Sequence, residues 1–190
     1  MQKNKAITLK VTVALAMLAA ISIILGKYLA IPGGEVLRFS FENLPIIFAG
    51  MAFGPLAGAL VGAVADLVGC VMVGYTVNPV VTLGAVVIGT VSGITWMLFK
   101  KVGCHRAIKT AITVVLAHLI GSVLIKTVGL AVYYEMHIVI LMLWRLLNYL
   151  IVGILEGVII HVLIGNKMIE KQIASLKTER GVRRTGDDEK

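Results

Sequence analysis

Charge is scarce in this chain. Only 15% of its residues are Asp, Glu, Lys or Arg, where a soluble domain carries roughly 25%, and that excludes an ordinary water-soluble globule. Cysteine is scarcer still, with Cys70 and Cys104 the only two. Neither stands at a metal-ligand spacing or beside a catalytic partner, so a disulfide framework, a zinc site and a thiol nucleophile are all unsupported. There is no Gly-x-x-x-x-Gly-Lys-Ser/Thr phosphate loop, so the chain does not hydrolyse ATP by itself. A His-Glu-x-x-His pair and a paired serine or cysteine arrangement are also missing. No enzymatic activity, cofactor or metal is expected.

What is there is apolar residue after apolar residue. They make up 58% of 190 residues, with mean hydropathy +0.95, in runs near the ~20 residues that cross a bilayer. The sequence predicts an all-α integral membrane protein: six transmembrane helices within 11–165, with tails at 1–10 and 166–190. The first run, Val11 to about Ala30, is longer than the ~7–15 residue core of a signal peptide and reads as a first helix. Pro32-Gly33-Gly34 marks a loop. A short second helix spans Phe41 to Phe53 with Pro45 in its first turn, and Gly54-Pro55 ends it and starts the third, to about Val73. The fourth covers Pro79 to Phe99, the fifth about Thr110 to Val132 and the sixth about Ile138 to Ile164. Gly58, Gly62, Gly69, Gly84, Gly89 and Gly93 let helices three and four pack closely.

The formal charge of +8 belongs to the membrane, not to nucleic acid, because the basic residues sit between and after apolar runs. Three of the 18 Lys and Arg lie in the first tail, four in 100–109 and seven in the last tail. Six helices put those 14 on one side, which the positive-inside rule makes cytoplasmic. Both termini are then inside, and Cys70 and Cys104 fall on opposite faces. The other four cations are Lys27, Arg38, Lys126 and Arg145.

Lys126 lies roughly 24 Å along the fifth helix, and Arg145 roughly 10 Å into the sixth. With Arg38 they converge on the outer third of the bundle. A cation inside a span costs about 2.5–3.5 kcal/mol and needs a partner or water. The plain reading pairs Arg145 with Asp66 or Glu42 and lets Lys126 and Lys27 snorkel to the headgroups. The sharper reading is an anion-accepting pocket. Trp144-Arg145 and Asn148 set an aromatic ring, a guanidinium and an amide on neighbouring turns, and Asn43, Tyr75 and Asn78 lie at the same level. Asp66, near mid-membrane, is either the counter-charge of a buried base or a proton or ion relay. His118 and His161 are lone histidines on apolar helices, read as structural. Ala16 and Ala20, four apart, form a small face suited to close helix packing.

Arg38-Phe-Ser-Phe-Glu-Asn-Leu-Pro45, Ala49-Gly-Met-Ala-Phe-Gly-Pro55, Gly58-Ala-Leu-Val-Gly-Ala63, Ala65-Asp66-Leu-Val-Gly69 and Asn78-Pro79 resemble the folate-type S components of energy-coupling factor transporters, over about Leu9 to Ile164. The resemblance implies a six-helix vitamin-binding protein of a bacterial plasma membrane, with the loop Ile31 to Ser40 gating an outer pocket. It implies that Ala16 and Ala20 dock on a transmembrane coupling subunit, with two ATPase subunits completing the transporter. It also implies a folate ligand, whose flat ring and two carboxylates suit Asn, Trp and the cations. Sister subfamilies for pantothenate or riboflavin share the Gly-Pro hairpin. From the residues alone, a proton- or ion-coupled carrier using Asp66, or a membrane scaffold, stays open.

Overall fold

The computed structural model of the chain describes residues 9–32, 38–99, 103, 105–135 and 137–186, the side chains of 32, 38, 134 and 177–186 excepted. Six apolar helices follow in the expected order: α1 (Leu9–Tyr28), α2 (Asn43–Phe53), α3 (Pro55–Met72), α4 (Pro79–Phe99), α5 (Arg106–Tyr133) and α6 (Ile138–Gly165). A polar helix, α7 (Lys167–Gly186), comes after them. Five are long and apolar enough to cross a bilayer, while α2 has 11 residues. At ~1.5 Å per residue it is about 16 Å long, roughly half of a ~30 Å hydrocarbon core. Among the described residues the only strands are Ile31–Pro32 and Arg38–Phe39, a two-residue antiparallel ladder that draws the loop before α2 together. Residues 33–37 of the implied gating loop lie outside the described residues, as does Cys104.

Most boundaries fall where glycine and proline put them. Gly54, at φ 103°, is in a region that L side chains avoid. It closes α2 by donating to the Gly50 carbonyl at 2.9 Å, and Pro55 opens α3 where its missing N–H is no loss. The fifth helix begins four residues earlier than expected, at Arg106 rather than Thr110. His105 caps it, its ring accepting from the Ala107 N–H. Two helices widen into π-helical turns, α1 over Ile24–Tyr28 and α5 over His118–Ile125.

Lipid tails are as apolar as leucine, so helices associate in a membrane by close packing and polar contacts. Here glycine supplies the closeness. A Cβ on Gly58 would meet the Gly89 carbonyl and one on Gly89 the Gly58 carbonyl, while Gly62 lies on the Ala85 carbonyl and Gly93 on Pro55. Helix α4 is therefore pressed against α3 and α2, backbone to backbone. The apolar core runs through Val11, Leu15 and Ala19 of α1, Ile46 and Ile47 of α2, Val61 and Ala65 of α3 and Ile88 of α4. Large side chains such as Met17, Val71, Leu98 and Leu150 point outward, as a lipid-facing surface requires.

Candidate functional site

A cavity of about 490 Å³ opens at the end of the bundle that carries residues 39–42 and 73–78. That is within the ~300–1,000 Å³ range of small-molecule sites. Its wall holds three cations, Lys27, Lys126 and Arg145, and two carboxylates, Glu42 and Asp66. Formally it carries one surplus positive charge.

Each charged side chain has room made for it. Lys126 follows the π-helical stretch of α5 and is 3% exposed. Its Cγ is 2.5 Å from where a Cβ on Gly84 would stand. Its Nζ donates to Glu42 Oε1 at 2.9 Å and faces Asn43 Oδ1 at 3.5 Å. Glu42 sits over Gly26, with both Cβ and Oε2 2.7 Å from an ideal Cβ there, and its backbone carbonyl accepts from Ser22 Oγ at 2.6 Å. Lys27 lies on Gly69, its Nζ 3.8 Å from Cys70 Sγ and 5.9 Å from the centre of the Tyr75 ring. Asp66 Oδ2 accepts from Thr82 Oγ1 at 2.6 Å.

Arg145 is 7% exposed, and its contacts are neutral. Nε donates to the Ser122 carbonyl at 3.2 Å, and Nη2 donates to the Tyr149 hydroxyl at 3.2 Å. Among the described residues neither Arg145 nor Lys27 forms an ion pair. The expected pairing is thereby corrected: Glu42 goes to Lys126, Asp66 to a threonine hydroxyl, and Arg145 to no acid. Lys126 does not snorkel. It reaches inward because Gly84 leaves no side chain in its path and Glu42 lies at the end of that path.

Of the residues expected to form a pocket, Tyr75, Asn78, Lys126 and Arg145 line this cavity. Asn78 is also structural, its Nδ2 donating to the Gly129 carbonyl at 2.9 Å and its Oδ1 capping α4 through the Val80 N–H at 3.0 Å. Asn43 is fully buried behind the ion pair, and Asn148 is buried on the same stripe of α6 as Arg145; neither lines the cavity. Trp144 is a correction. It is 57% exposed and away from the cavity, because one residue along a helix turns it ~100° from Arg145. The side chain of Arg38 lies outside the described residues. Ala16 and Ala20 are both exposed, on the outer face of α1.

Sequence reasoning missed Lys27 and Tyr149 as wall residues. Tyr149 was within reach, since it follows Arg145 by four residues and shares its face. Lys27 was not, because the π-helical turn shifts it off the 3.6-residue period. A second cavity of about 430 Å³ lies between α5 and α6, lined mainly by aliphatic residues with His118, His161 and Tyr149. Tyr149 is common to both walls.

One cavity wall thus holds a buried guanidinium on neutral acceptors and an ammonium, neither of them in an ion pair among the described residues. Comparisons with known proteins identify the family. The family model described as the substrate-specific component of ECF transporters matches residues 10–164. A curated relative, the folate transporter FolT of Clostridium novyi (strain NT), is 24% identical over 158 residues, 80% of this chain and 86% of its own length. Among solved structures, FolT bound with folic acid superposes with TM-score 0.66 and 22% identity over 81% of this chain and 92% of that one. The S-component for biotin from an ECF-type ABC transporter gives TM-score 0.62 and 19% identity over 85% and 96%. At these identities the structural likeness speaks for the fold. The family match spans most of the chain: this protein belongs to the substrate-specific component family of ECF transporters.

Proposed function

We propose that the chain captures folate in the 490 Å³ cavity and presents it for ATP-driven uptake. The observation that carries this reading is the pair of cations Lys27 and Arg145, on the wall of one cavity and without an acid partner among the described residues. Folate brings two carboxylates and a flat heteroaromatic ring, so it supplies two anions where two cations lack them. Biotin has one carboxylate and would leave a cation unmatched. The folate relative and the folic acid complex support the same choice. A carrier coupled through Asp66 is less favoured, because that carboxylate is engaged by Thr82 rather than free.

In this reading the cavity faces outward and the 14 basic residues of the two tails and the 100–109 loop face the cytoplasm of a bacterial cell. The exposed small face at Ala16 and Ala20 receives a transmembrane coupling subunit, which works with two ATPase subunits. Isothermal titration of the purified chain in detergent tests the ligand, with folate against biotin, pantothenate and riboflavin. Folate alone is expected to bind. Arg145→Ala should weaken it at least about tenfold, as expected when one partner of a desolvated charge pair is removed. Arg106→Ala, at the far end of α5 beside Gly165, should leave it unchanged. Binding of biotin instead would move the substrate and keep the family.

A further inference from the structure

Three buried polar side chains, linked to Arg145 through Ser122 and Tyr149, do not line the folate cavity. His118 Nδ1 is 3.2 Å from Ser122 Oγ, and its Nε2 is 2.6 Å from Glu156 Oε2. Ser122 and Glu156 are fully buried and His118 is 4% exposed. Burying such groups in a membrane core is costly, and polar residues kept there are commonly functional. His118 and Ser122 also fall on the π-helical stretch of α5, a distortion frequent at functional sites.

The geometry shows what the group can do. Arg145 is held at two points, the Ser122 carbonyl and the Tyr149 hydroxyl. His118 touches both holders. Its ring stacks on Tyr149 with centroids 4.8 Å apart and planes 26° from parallel, and its Nδ1 meets the Ser122 hydroxyl. Glu156 fixes the histidine from α6. With a hydrogen on Nε2 shared with the carboxylate, Nδ1 is left to accept from Ser122, so one ring orientation serves all three contacts. A long side chain loses affinity when it must be ordered on binding, and prior ordering removes that loss.

We propose that His118, fixed by Glu156, is the positioning residue for Arg145: it locks Tyr149 and Ser122, and so holds the guanidinium ready for an anionic ligand that it never touches. This rests on Arg145 being a ligand-binding residue. Because His118 acts through another residue, its loss should follow that of Arg145 rather than add to it.

The decisive variant is the double change His118→Phe with Glu156→Leu. It removes both polar partners together, so stability is largely kept, and phenylalanine retains the stack on Tyr149. Titrated with folate in detergent, it should melt near the wild type yet bind at least about tenfold more weakly. Combined with Arg145→Ala it should weaken binding no further than Arg145→Ala alone. Glu156→Gln, which keeps an acceptor for the imidazole, should bind within about threefold of wild type. Wild-type affinity in the double variant, or losses that add fully to Arg145→Ala, would overturn the proposal. A ligand-free readout separates this from the folate reading. In ¹⁵N-labelled protein the Arg145 Nε–H resonance, identified by its absence in Arg145→Ala, should exchange slowly with water and lose that protection in the double variant. If wild type ignores folate while that protection behaves as described, the substrate is wrong and the positioning network stands. If protection is unchanged in the double variant, the network falls whatever the ligand.

Discussion

At the scale of single residues, the cavity divides its cations between two tasks. Lys126 is committed to Glu42 at 2.9 Å, and the pair ties α5 to the start of α2 across 84 residues of sequence. Arg145 and Lys27, in no ion pair among the described residues, are the ones proposed to meet a ligand. Lys126→Met strands the Glu42 carboxylate, and breaking a pair of this kind costs about 3 kcal/mol. The expected result is a clear drop in melting temperature in detergent. Adding Glu42→Gln removes the stranded charge and should restore most of that loss. If Lys126→Met alone melts like wild type, the pair is not holding α2 in place. None of this pairing could be read in advance. The four isolated cations were visible, but which carboxylate meets which cation is fixed by contacts between distant stretches and by the glycines beneath them.

At the scale of elements, the bundle depends on backbones that approach with nothing between them. Gly58 of α3 and Gly89 of α4 lie on each other's carbonyls, so neither can accept a methyl group without moving a helix. Overpacking a core costs about 1–3 kcal/mol when side chains can yield, and here the obstacle is backbone. Gly89→Val is therefore expected to lower stability by at least about 3 kcal/mol. Gly157→Val on α6, where nothing lies within 4 Å of an added Cβ, should melt like wild type. These contacts were legible from glycine spacing, as were the helix ends at Phe53, Pro55, Pro79 and Phe99. The start of α5 was not, since Arg106 and Lys109 read as loop residues yet continue the helix beyond its apolar part. The two π-helical turns also lay outside any reading based on a 3.6-residue period.

At the scale of the whole molecule, the two proposed sites lie on separate surfaces. The cavity opens at one end between the loops, whereas Ala16 and Ala20 lie on the outer flank of α1. A bulky residue on that flank should leave ligand binding alone and block assembly. Ala16→Trp with Ala20→Trp is expected to keep wild-type folate affinity in detergent while abolishing uptake in cells that express the coupling and ATPase subunits. Uptake that survives the double change would remove that face from the assembly interface. The resemblance in sequence supplied this surface, and the fold adds that Ala16 and Ala20 are exposed on it.

The surplus cation of the cavity also has an electrical consequence. Three basic and two acidic side chains line it, so a bound dianion brings the loaded site to a formal charge of one negative unit rather than two. Moving one elementary charge through the membrane potential takes about 2.3 kcal/mol per 100 mV. A carrier that took folate inward on neutral groups would do about twice that work against an inside-negative cell. Under the proposed uptake, a loaded site moving inward would carry one negative unit and the empty site returning would carry one positive unit, so the countercharge divides the voltage work between two steps and leaves its total unchanged.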